Sequence, residues 1–288
     1  MTLSVQKKPA WLNKKISLRD CTAMKTILKE RQLNTVCQEA QCPNIGECFA
    51  NNQATFIIMG SVCTRGCRFC GIKKGSPSPL DENEPFRIAD IVRELALKHI
   101  VITSVTRDDL IDGGAKAFVE TINAVRRINQ NVSIEVLIPD FQANIKSLEA
   151  LIRANPDIIA HNLETVPRLY KGVRQGASYE MSLKVFKILK NISNISLKSG
   201  LMLGLGEKED EVLEVFDDLL SVGCSYLSIG QYLAPSNAHV SVKEYILPQV
   251  FDNYRKVALK KGFCYVKSAP YVRSSYMAED YLSSKENS

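Results

Sequence analysis

Apolar segments with the composition of β-strands recur along this chain roughly every thirty residues, which constrains its fold more than any other feature. These segments cover residues 54–59, 99–105, 132–138, 158–164, 195–203, 226–233 and 263–268. Between them, apolar residues follow the spacing of amphipathic helices, as at positions 88, 91, 92 and 95. Alternating strands and helices predict a parallel sheet, which right-handed crossovers wind either into a closed or partial barrel or into an open doubly wound sheet.

The two ends of the chain differ from this repeating region. Residues 1–53 show no strand pattern, and we interpret them as an N-terminal extension. Residues 236–288 carry a helical pattern at 243–261, one strand and a polar tail, so we interpret them as a C-terminal extension. The repeating domain then occupies residues 54–235. A proline-rich stretch at 75–85 is predicted to be a loop after the first strand of that domain.

The composition excludes several classes of protein. With 45% hydrophobic and 24% charged residues, the chain can bury a large core, and no apolar run approaches the roughly 18–20 residues that span a bilayer. The net charge of +6 is too diffuse to indicate nucleic acid, so we expect neither nucleic acid nor membrane as a partner. Residues 1–15 lack the hydrophobic stretch of a signal peptide, and we therefore expect a cytoplasmic protein.

Nine cysteines are many for a chain in a reducing compartment, where structural disulfides are rare. Cys63, Cys67 and Cys70 form a C-x3-C-x2-C motif directly after the first predicted strand, where α/β folds place their active sites. Three thiolates in one short loop can ligate a polynuclear iron–sulfur cluster. A cluster of four irons would keep one iron without a cysteine, and that iron could bind a substrate or cofactor.

Two other interpretations of this loop are a zinc site and a set of buried apolar cysteines. Structural zinc sites usually combine two separated pairs of Cys or His. The three histidines, His99, His161 and His239, all lie far from the motif in sequence, and we assign none of them to a metal. The spacing therefore favours an iron–sulfur cluster.

A second triad precedes the first, with Cys37, Cys42 and Cys48 spaced as C-x4-C-x5-C. It again supplies three soft ligands rather than four. Three unrelated loop thiols are the alternative, but three cysteines within twelve residues, beside Pro43 and Gly46 rather than in an apolar pattern, favour a metal site.

The C-x3-C-x2-C loop in its context resembles that of the radical S-adenosylmethionine (SAM) superfamily, and the pairing of two triads resembles lipoyl synthases. The second resemblance extends over nearly the whole chain, through KPAWLNKK, CPNIGEC, CTRGCRFC, VTRDDLIDGGA, HNLETVPRLY, GLMLGLGE, QYLAPS and RSSY. The chain departs from the family where VRQGASY replaces the common VRPGADY, which changes Gln175 and Ser178. Neither position is a cluster ligand.

This resemblance implies a partial (β/α)6 barrel, two [4Fe–4S] clusters, and SAM as co-substrate. It implies that Cys63, Cys67 and Cys70 ligate the SAM-binding cluster, and that Cys37, Cys42 and Cys48 ligate an auxiliary cluster. The serine next to the tyrosine of RSSY, Ser275, would be the fourth ligand of the auxiliary cluster, with Ser274 as the fallback. The activity implied is insertion of two sulfur atoms, taken from the auxiliary cluster, at C6 and C8 of a protein-bound octanoyl-lysine.

Polar residues in or just after the predicted strands are candidate contacts for SAM or the octanoyl amide. We predict this role for Thr103, Ser104, Glu135, Asn162, Glu164 and Arg174. Arg174 is the best candidate partner for a carboxylate, because a guanidinium binds carboxylates in bidentate geometry. Helix caps and loop hydrogen bonds are the alternative for each of them. Three aspartates at 108, 109 and 112 are predicted to cap a helix rather than bind a metal.

The resemblance also implies partners. They are octanoylated lipoyl-carrier domains, namely the E2 subunits of 2-oxoacid dehydrogenases and the H protein of glycine cleavage, an electron donor such as a flavodoxin or ferredoxin, and an iron–sulfur carrier. Three other functions remain alternatives: another sulfur-inserting radical SAM enzyme, a two-cluster electron carrier, and a zinc-stabilised binding module.

Overall fold

One open, mostly parallel sheet is the framework of the protein. The computed structural model describes residues 8–13, 18–39, 42, 44–50, 53, 55–278 and 280–283. In this part the strands are β1 (Asn34–Thr35), β2 (Thr55–Ile58), β3 (Val62–Cys63), β4 (Lys73–Lys74), β5 (His99–Ser104), β6 (Ser133–Leu137), β7 (Ile158–Ala160), β8 (Ser196–Leu203), β9 (Tyr226–Gln231) and β10 (Tyr265–Ser268). The large sheet has the order β1-β2-β5-β6-β7-β8-β9-β10, and β3 pairs with β4 separately.

The strand order confirms the partial (β/α)6 barrel. Strands β2 and β5 to β9 each pair in parallel with the next strand of the sheet along the chain. The linear order leaves the sheet unclosed. Each extension then adds one strand at an edge: β10 pairs in parallel with β9, and β1 pairs antiparallel with β2.

Helices cover the outside of this sheet. The described helices are α1 (Leu18–Glu30), α2 (Val36–Glu39), α3 (Ile45–Ala50), α4 (Glu84–Glu94), α5 (Ala115–Ile128), α6 (Ile145–Arg153), α7 (Tyr170–Val173), α8 (Tyr179–Ile192), α9 (Glu209–Ser221), α10 (Pro248–Lys261) and α11 (Asp280–Ser283). Their apolar stripes pack on the strands; in α5, for example, Phe118, Ile122 and Val125 are fully buried. None of the helices in the described ranges is long and apolar enough to cross a membrane.

Several sequence-based boundaries were wrong for local reasons. The N-terminal extension does contain a strand, β1, which is too short to show a pattern. The predicted helix at 243–261 begins only at Pro248, a residue that fits the first turn because its missing N–H has no partner there. The loop predicted at 75–85 gives way to α4 at Glu84, with Pro85 in the first turn for the same reason.

The strand predicted at 158–164 ends earlier, at Ala160. Glu164 has a φ of 69°, in the left-handed region that residues other than glycine rarely adopt. Its backbone nevertheless pairs with β8: its N–H donates to Gly200 at 2.9 Å, and its carbonyl accepts from Met202 at 2.8 Å. The strained turn therefore holds Glu164 at the end of the barrel where the parallel strands terminate.

Candidate active site

Both cysteine triads face one cavity of about 480 Å³ that opens at the carboxyl ends of the parallel strands and continues down into the barrel. Its lining includes the six thiols of Cys37, Cys42, Cys48, Cys63, Cys67 and Cys70. Its lining also includes the apolar side chains of Ile57, Val101, Leu137 and Met202. The two cysteine triads thus share one chamber.

The loop of the C-x3-C-x2-C motif is held by backbone and side-chain contacts. Its first cysteine lies in β3, and the sulfur of Cys63 accepts N–H groups from Arg65 at 3.4 Å and Thr106 at 3.3 Å. Such donors stabilise negative charge on a thiolate. The Arg65 guanidinium bridges the carboxylates of Asp108 and Asp140, which follow β5 and β6. The loop is therefore fastened to two neighbouring strands.

The capping role predicted for the three aspartates holds for one of them. Only Asp112 caps α5, since its carboxylate accepts the N–H groups of Gly114 at 2.9 Å and Lys116 at 2.7 Å. Asp108 binds Arg65, and Asp109 binds Arg107. The sequence does not indicate the pairing of Asp108 with Arg65, because an ion pair between distant loops has no periodic pattern.

The chemistry of the thiols fits an iron–sulfur cluster. Burial raises the pKa of Cys67 to about 11 and that of Cys70 to about 12, and it raises the pKa of Cys37 in the other triad to about 11. These thiols hold their protons until a metal replaces them, as cluster ligands do. Among the described residues, no three His, Cys, Asp or Glu side chains converge on one point as around a single ion. Cubane ligands need no such convergence, because each binds a different iron.

The second triad is joined to the C-terminal segment. Cys37 lies in α2 and Cys48 in α3. Between them, the Asn44 side chain donates to the carbonyl of Tyr271 at 2.6 Å. The hydroxyl of Tyr276 donates to Glu47 at 2.8 Å. These two contacts bring the RSSY segment against the N-terminal extension and make it a wall of the cavity.

The two serines of RSSY both line the cavity but differ in their hydrogen bonds. The Ser274 hydroxyl donates to the Asn162 side-chain oxygen at 3.0 Å. The half-buried Ser275 hydroxyl makes no hydrogen bond within the described part of the chain. Ser275 is therefore the one of the two whose oxygen is available to a ligand in the cavity.

Five of the six predicted contact residues line the cavity, namely Thr103, Ser104, Asn162, Glu164 and Arg174. The Thr103 hydroxyl already donates to the carbonyl of Leu137 at 2.8 Å. The Ser104 hydroxyl is buried without a partner among the described residues, so it offers an unused polar group to a ligand. The Asn162 amide donates to the Glu164 carboxylate at 3.1 Å, which orients both side chains at the barrel end.

Glu135 is the exception and corrects the sequence-based prediction. It is fully buried in an ion pair with Lys198, with the ammonium 2.9 and 3.0 Å from the two carboxylate oxygens, and it is not part of the cavity wall. The Lys198 ammonium also lies 3.8 Å from the centre of the Tyr281 ring. The Glu135 carboxylate is turned to Lys198 rather than to the cavity, although Val101 of β5, which is in register with Glu135, does line the cavity.

Arg174 belongs to a hydrogen-bond chain that the sequence did not indicate. Its guanidinium donates to the hydroxyls of Tyr170 at 2.8 Å and Ser182 at 3.2 Å. His161 is fully buried, with Nδ1 2.9 Å from the carbonyl of Ile138, so Nδ1 carries the proton. Nε2, 3.0 Å from the Ser182 oxygen, must then accept from that hydroxyl. This network of hydrogen bonds therefore fixes the Arg174 side chain beside Cys67.

Comparison with known proteins agrees with this geometry. The sequence profile of the Radical SAM superfamily matches residues 57–219. A lipoyl synthase of Geotalea uraniireducens (strain Rf4) is 54% identical over 280 residues, which cover 97% of this chain and 99% of the relative. The chain belongs to the lipoyl synthase family. A second member, from Caldanaerobacter subterraneus subsp. tengcongensis, is 51% identical over 278 residues, covering 96% of this chain and 98% of the relative.

The fold is shared with solved structures of low sequence identity. SuiB of Streptococcus suis bound to S-adenosylmethionine has a TM-score of 0.57 at 12% identity, covering 76% of this chain and 51% of that chain. Membership confirms the predicted enzyme class, a sulfur-inserting radical SAM enzyme that uses SAM and [4Fe–4S] clusters in lipoate biosynthesis. Lipoyl synthases act on octanoylated lipoyl domains.

Proposed function

We propose that the cavity is the site of lipoyl formation and that its thiols divide into two cluster sites. Cys63, Cys67 and Cys70 would ligate the cluster that binds SAM. Cys37, Cys42 and Cys48, with Ser275, would ligate the auxiliary cluster. The observation that carries this proposal is the single chamber that both triads line, with RSSY as part of its wall. An alkyl chain entering it can approach both sites.

When bound, these groups would supply a 5′-deoxyadenosyl radical at the first site and sulfur at the second. The protein must then hold an unactivated carbon near the radical and exclude water. The apolar side chains of Ile57, Val101, Leu137 and Met202 suit a fatty chain and offer no hydroxyl or thiol hydrogen atom to a radical. This lining supports the octanoyl chain as the substrate of the cavity.

The polar residues at the barrel end would bind SAM or the octanoyl amide. Arg174, held by Tyr170 and Ser182, presents a fixed guanidinium beside Cys67 that can bind a carboxylate. Asn162 and Glu164 together offer amide and carboxylate groups that can bind hydroxyls. Ser104 adds its unused hydroxyl, whereas Thr103 contributes mainly to the pairing of β5 with β6.

Ser275 would also help the auxiliary cluster to give up sulfur. A hard serine oxygen holds soft iron less firmly than a thiolate, so an iron at Ser275 would be lost more readily once a sulfide is alkylated. Replacing Ser275 with cysteine should therefore slow product formation at matched cluster content. Equal rates for Ser275→Cys and the parent would disprove this role.

We further propose a division into residues 1–53, 54–235 and 236–288, with the barrel strands β2 and β5 to β9 in the central part. The carriers would be the E2 subunits of 2-oxoacid dehydrogenases and the H protein of glycine cleavage. A flavodoxin or ferredoxin would supply electrons, and an iron–sulfur carrier would rebuild the auxiliary cluster. We place these reactions in the cytoplasm.

A turnover assay tests the proposal. The chain is purified anaerobically, loaded with iron and sulfide, and supplied with dithionite, SAM and an octanoyl-lysyl peptide. We expect about eight irons per chain and a peptide that gains two sulfur atoms by mass. The variant with Cys37, Cys42 and Cys48 all changed to alanine should keep about four irons and cleave SAM without adding sulfur. Thiolation by that variant would contradict the proposal.

A further inference from the structure

The outer face of the C-x3-C-x2-C loop carries exposed cations that the proposed chemistry does not use. They are Arg68, Lys73, Lys74, Lys171 and Lys243. Within the described ranges, none of the five forms an ion pair with a carboxylate of the chain, although many other surface cations do. We call these five residues the basic face.

Backbone contacts place the basic face directly against the cluster loop. Lys74 is paired with Cys63 in the β3–β4 ladder, and Lys73 is paired with Val62. The Lys74 side chain packs over Gly66 so closely that an added Cβ there would lie 2.8 Å from its Cδ. Arg68 stands between the second and third cysteines of the motif. Two cations are thus in register with the strand that carries a predicted ligand, and a third is in the loop itself.

Lys171 and Lys243 belong to two other segments, which form backbone hydrogen bonds with the cluster loop or with the turn beside it. The Arg68 N–H donates to the carbonyl of Val173 at 2.8 Å, two residues after Lys171. The Arg68 carbonyl accepts from Val240 at 3.0 Å, and this segment continues to Lys243, whose N–H donates to Gly204 at 2.8 Å. The segments that carry Lys171 and Lys243 are therefore both attached to the cluster loop or its neighbouring turn.

Nearby carboxylates leave most of this charge uncompensated. Asp108 is engaged by Arg65, Glu211 is engaged by Arg168, and Glu207 accepts backbone N–H groups of the turn at Gly204. Glu244 is exposed beside Lys243 and offsets one of the five cations. An excess of exposed, unpaired positive charge attracts an acidic partner and speeds its association.

The position of the basic face identifies the kind of partner. None of its five residues lines the cavity, whereas the three thiols of the same loop do. A carrier domain must reach the mouth of the cavity to insert its acyl chain. A protein that delivers only an electron needs no access to the cavity and has to approach the cluster loop from outside.

We propose that the basic face is the docking surface for an acidic one-electron redox protein that reduces the cluster held by Cys63, Cys67 and Cys70. One electron leaves the reduced cofactor of that partner and enters the cluster, and no bond, proton or leaving group changes place. This inference rests on the proposed function, because it takes the loop to be a cluster site.

The test measures binding as well as turnover. Oxidised flavodoxin and oxidised ferredoxin are the probes, and the cluster-loaded chain is compared with the Lys73→Glu/Lys171→Glu variant at low and high salt. The Lys184→Glu/Lys187→Glu variant is the matched control, since it changes the same charge at two exposed lysines of α8. We expect one probe to bind the parent and the control equally, and to bind the Lys73→Glu/Lys171→Glu variant at least about tenfold more weakly, with a smaller salt dependence.

Three results would overturn the docking surface: no binding of either probe to the parent, equal weakening in the control, or loss of affinity for the octanoylated carrier domain instead. Dithionite-driven cleavage of SAM bypasses docking and should be the same in all three proteins. Failure of that reaction in the parent would count against the proposed function, while the binding comparison would still decide the docking surface.

Discussion

Arg65 and Asp140 form a nearly buried ion pair at the rim of the barrel, with Nη1 2.5 Å from Oδ2 and Nη2 2.8 Å from Oδ1. The two side chains are 11% and 3% exposed. Arg65 lies between the first two cysteines of the cluster loop, and Asp140 follows β6. Because the same guanidinium also binds Asp108 after β5, one side chain sets the position of the loop relative to two strands.

Arg65→Lys should weaken the loop. A lysine ammonium keeps the charge but is a single point, so it cannot make parallel hydrogen bonds to two carboxylates at once. We expect the variant to retain less iron after gel filtration, with the loss confined to one cluster. Arg68→Lys, at an exposed arginine of the same loop, should retain iron like the parent. Iron and sulfide analysis measures both, and equal retention by Arg65→Lys would show that the ion pair is dispensable.

Ser275→Ala and Ser274→Ala should differ in iron content. If Ser275 supplies the fourth ligand of the auxiliary site, its alanine variant should fall from about eight irons per chain towards about four. Ser274→Ala should keep both clusters, since the Ser274 hydroxyl is already bound to Asn162. The opposite pattern would assign the ligand to Ser274.

Glu135→Gln should destabilise the chain strongly. It leaves Lys198 buried without its counter-ion, a situation that costs about 3–5 kcal/mol. The double variant Glu135→Gln/Lys198→Met removes both charges and should recover much of that loss. Urea unfolding of the cluster-free chain gives both free energies. A single variant as stable as the parent would mean that the pair carries little net stability.

Acid should destabilise the protein through His161. Burial, aided by the charge of Arg174, lowers the pKa of His161 to about 4. At pH values between about 4 and 6.5, His161 is protonated in the unfolded chain and neutral in the folded protein. The free energy of unfolding therefore falls as the pH drops from 6.5 to 4, by up to about 3 kcal/mol.

His161→Gln removes this titration, so its unfolding free energy should fall less than that of the parent between pH 7 and pH 4.5. His99, whose pKa burial also lowers to about 4, contributes equally to both proteins and cancels in the comparison. Urea unfolding at the two pH values provides the measurement. Parallel losses in the two proteins would show that His161 is charged in the fold.

The barrel could be predicted well from the sequence because the pattern that marks each buried strand lies within a few consecutive residues. Each of the seven predicted strand segments contains a strand, since a buried parallel strand needs a continuous apolar run. The errors occurred where tertiary contacts decide the outcome. Residues 161–164 look like strand continuation, yet the left-handed φ of Glu164 turns the chain there.

The candidate site was predicted less evenly. Cysteine spacing and the RSSY motif led to residues that the structure places in one cavity. Glu135 was misassigned because a glutamate within a strand has the same letter whether it meets a ligand or a buried lysine 63 positions away. Arg65 and Ser182 were missed for the same reason: their partners lie in other segments of the chain.

The contacts of Asn44 with Tyr271 and of Glu47 with Tyr276 join segments separated by more than 220 positions. During synthesis the ribosome releases the N-terminal cysteines long before the segment that covers them. The loop at Cys63 can settle on its strands while translation continues, but the chamber beside Cys37 gains its last wall only after Tyr271 and Tyr276 have been synthesised. The wall that the RSSY segment adds beside the second triad is therefore built late, after every strand of the sheet from β1 to β10 has been made.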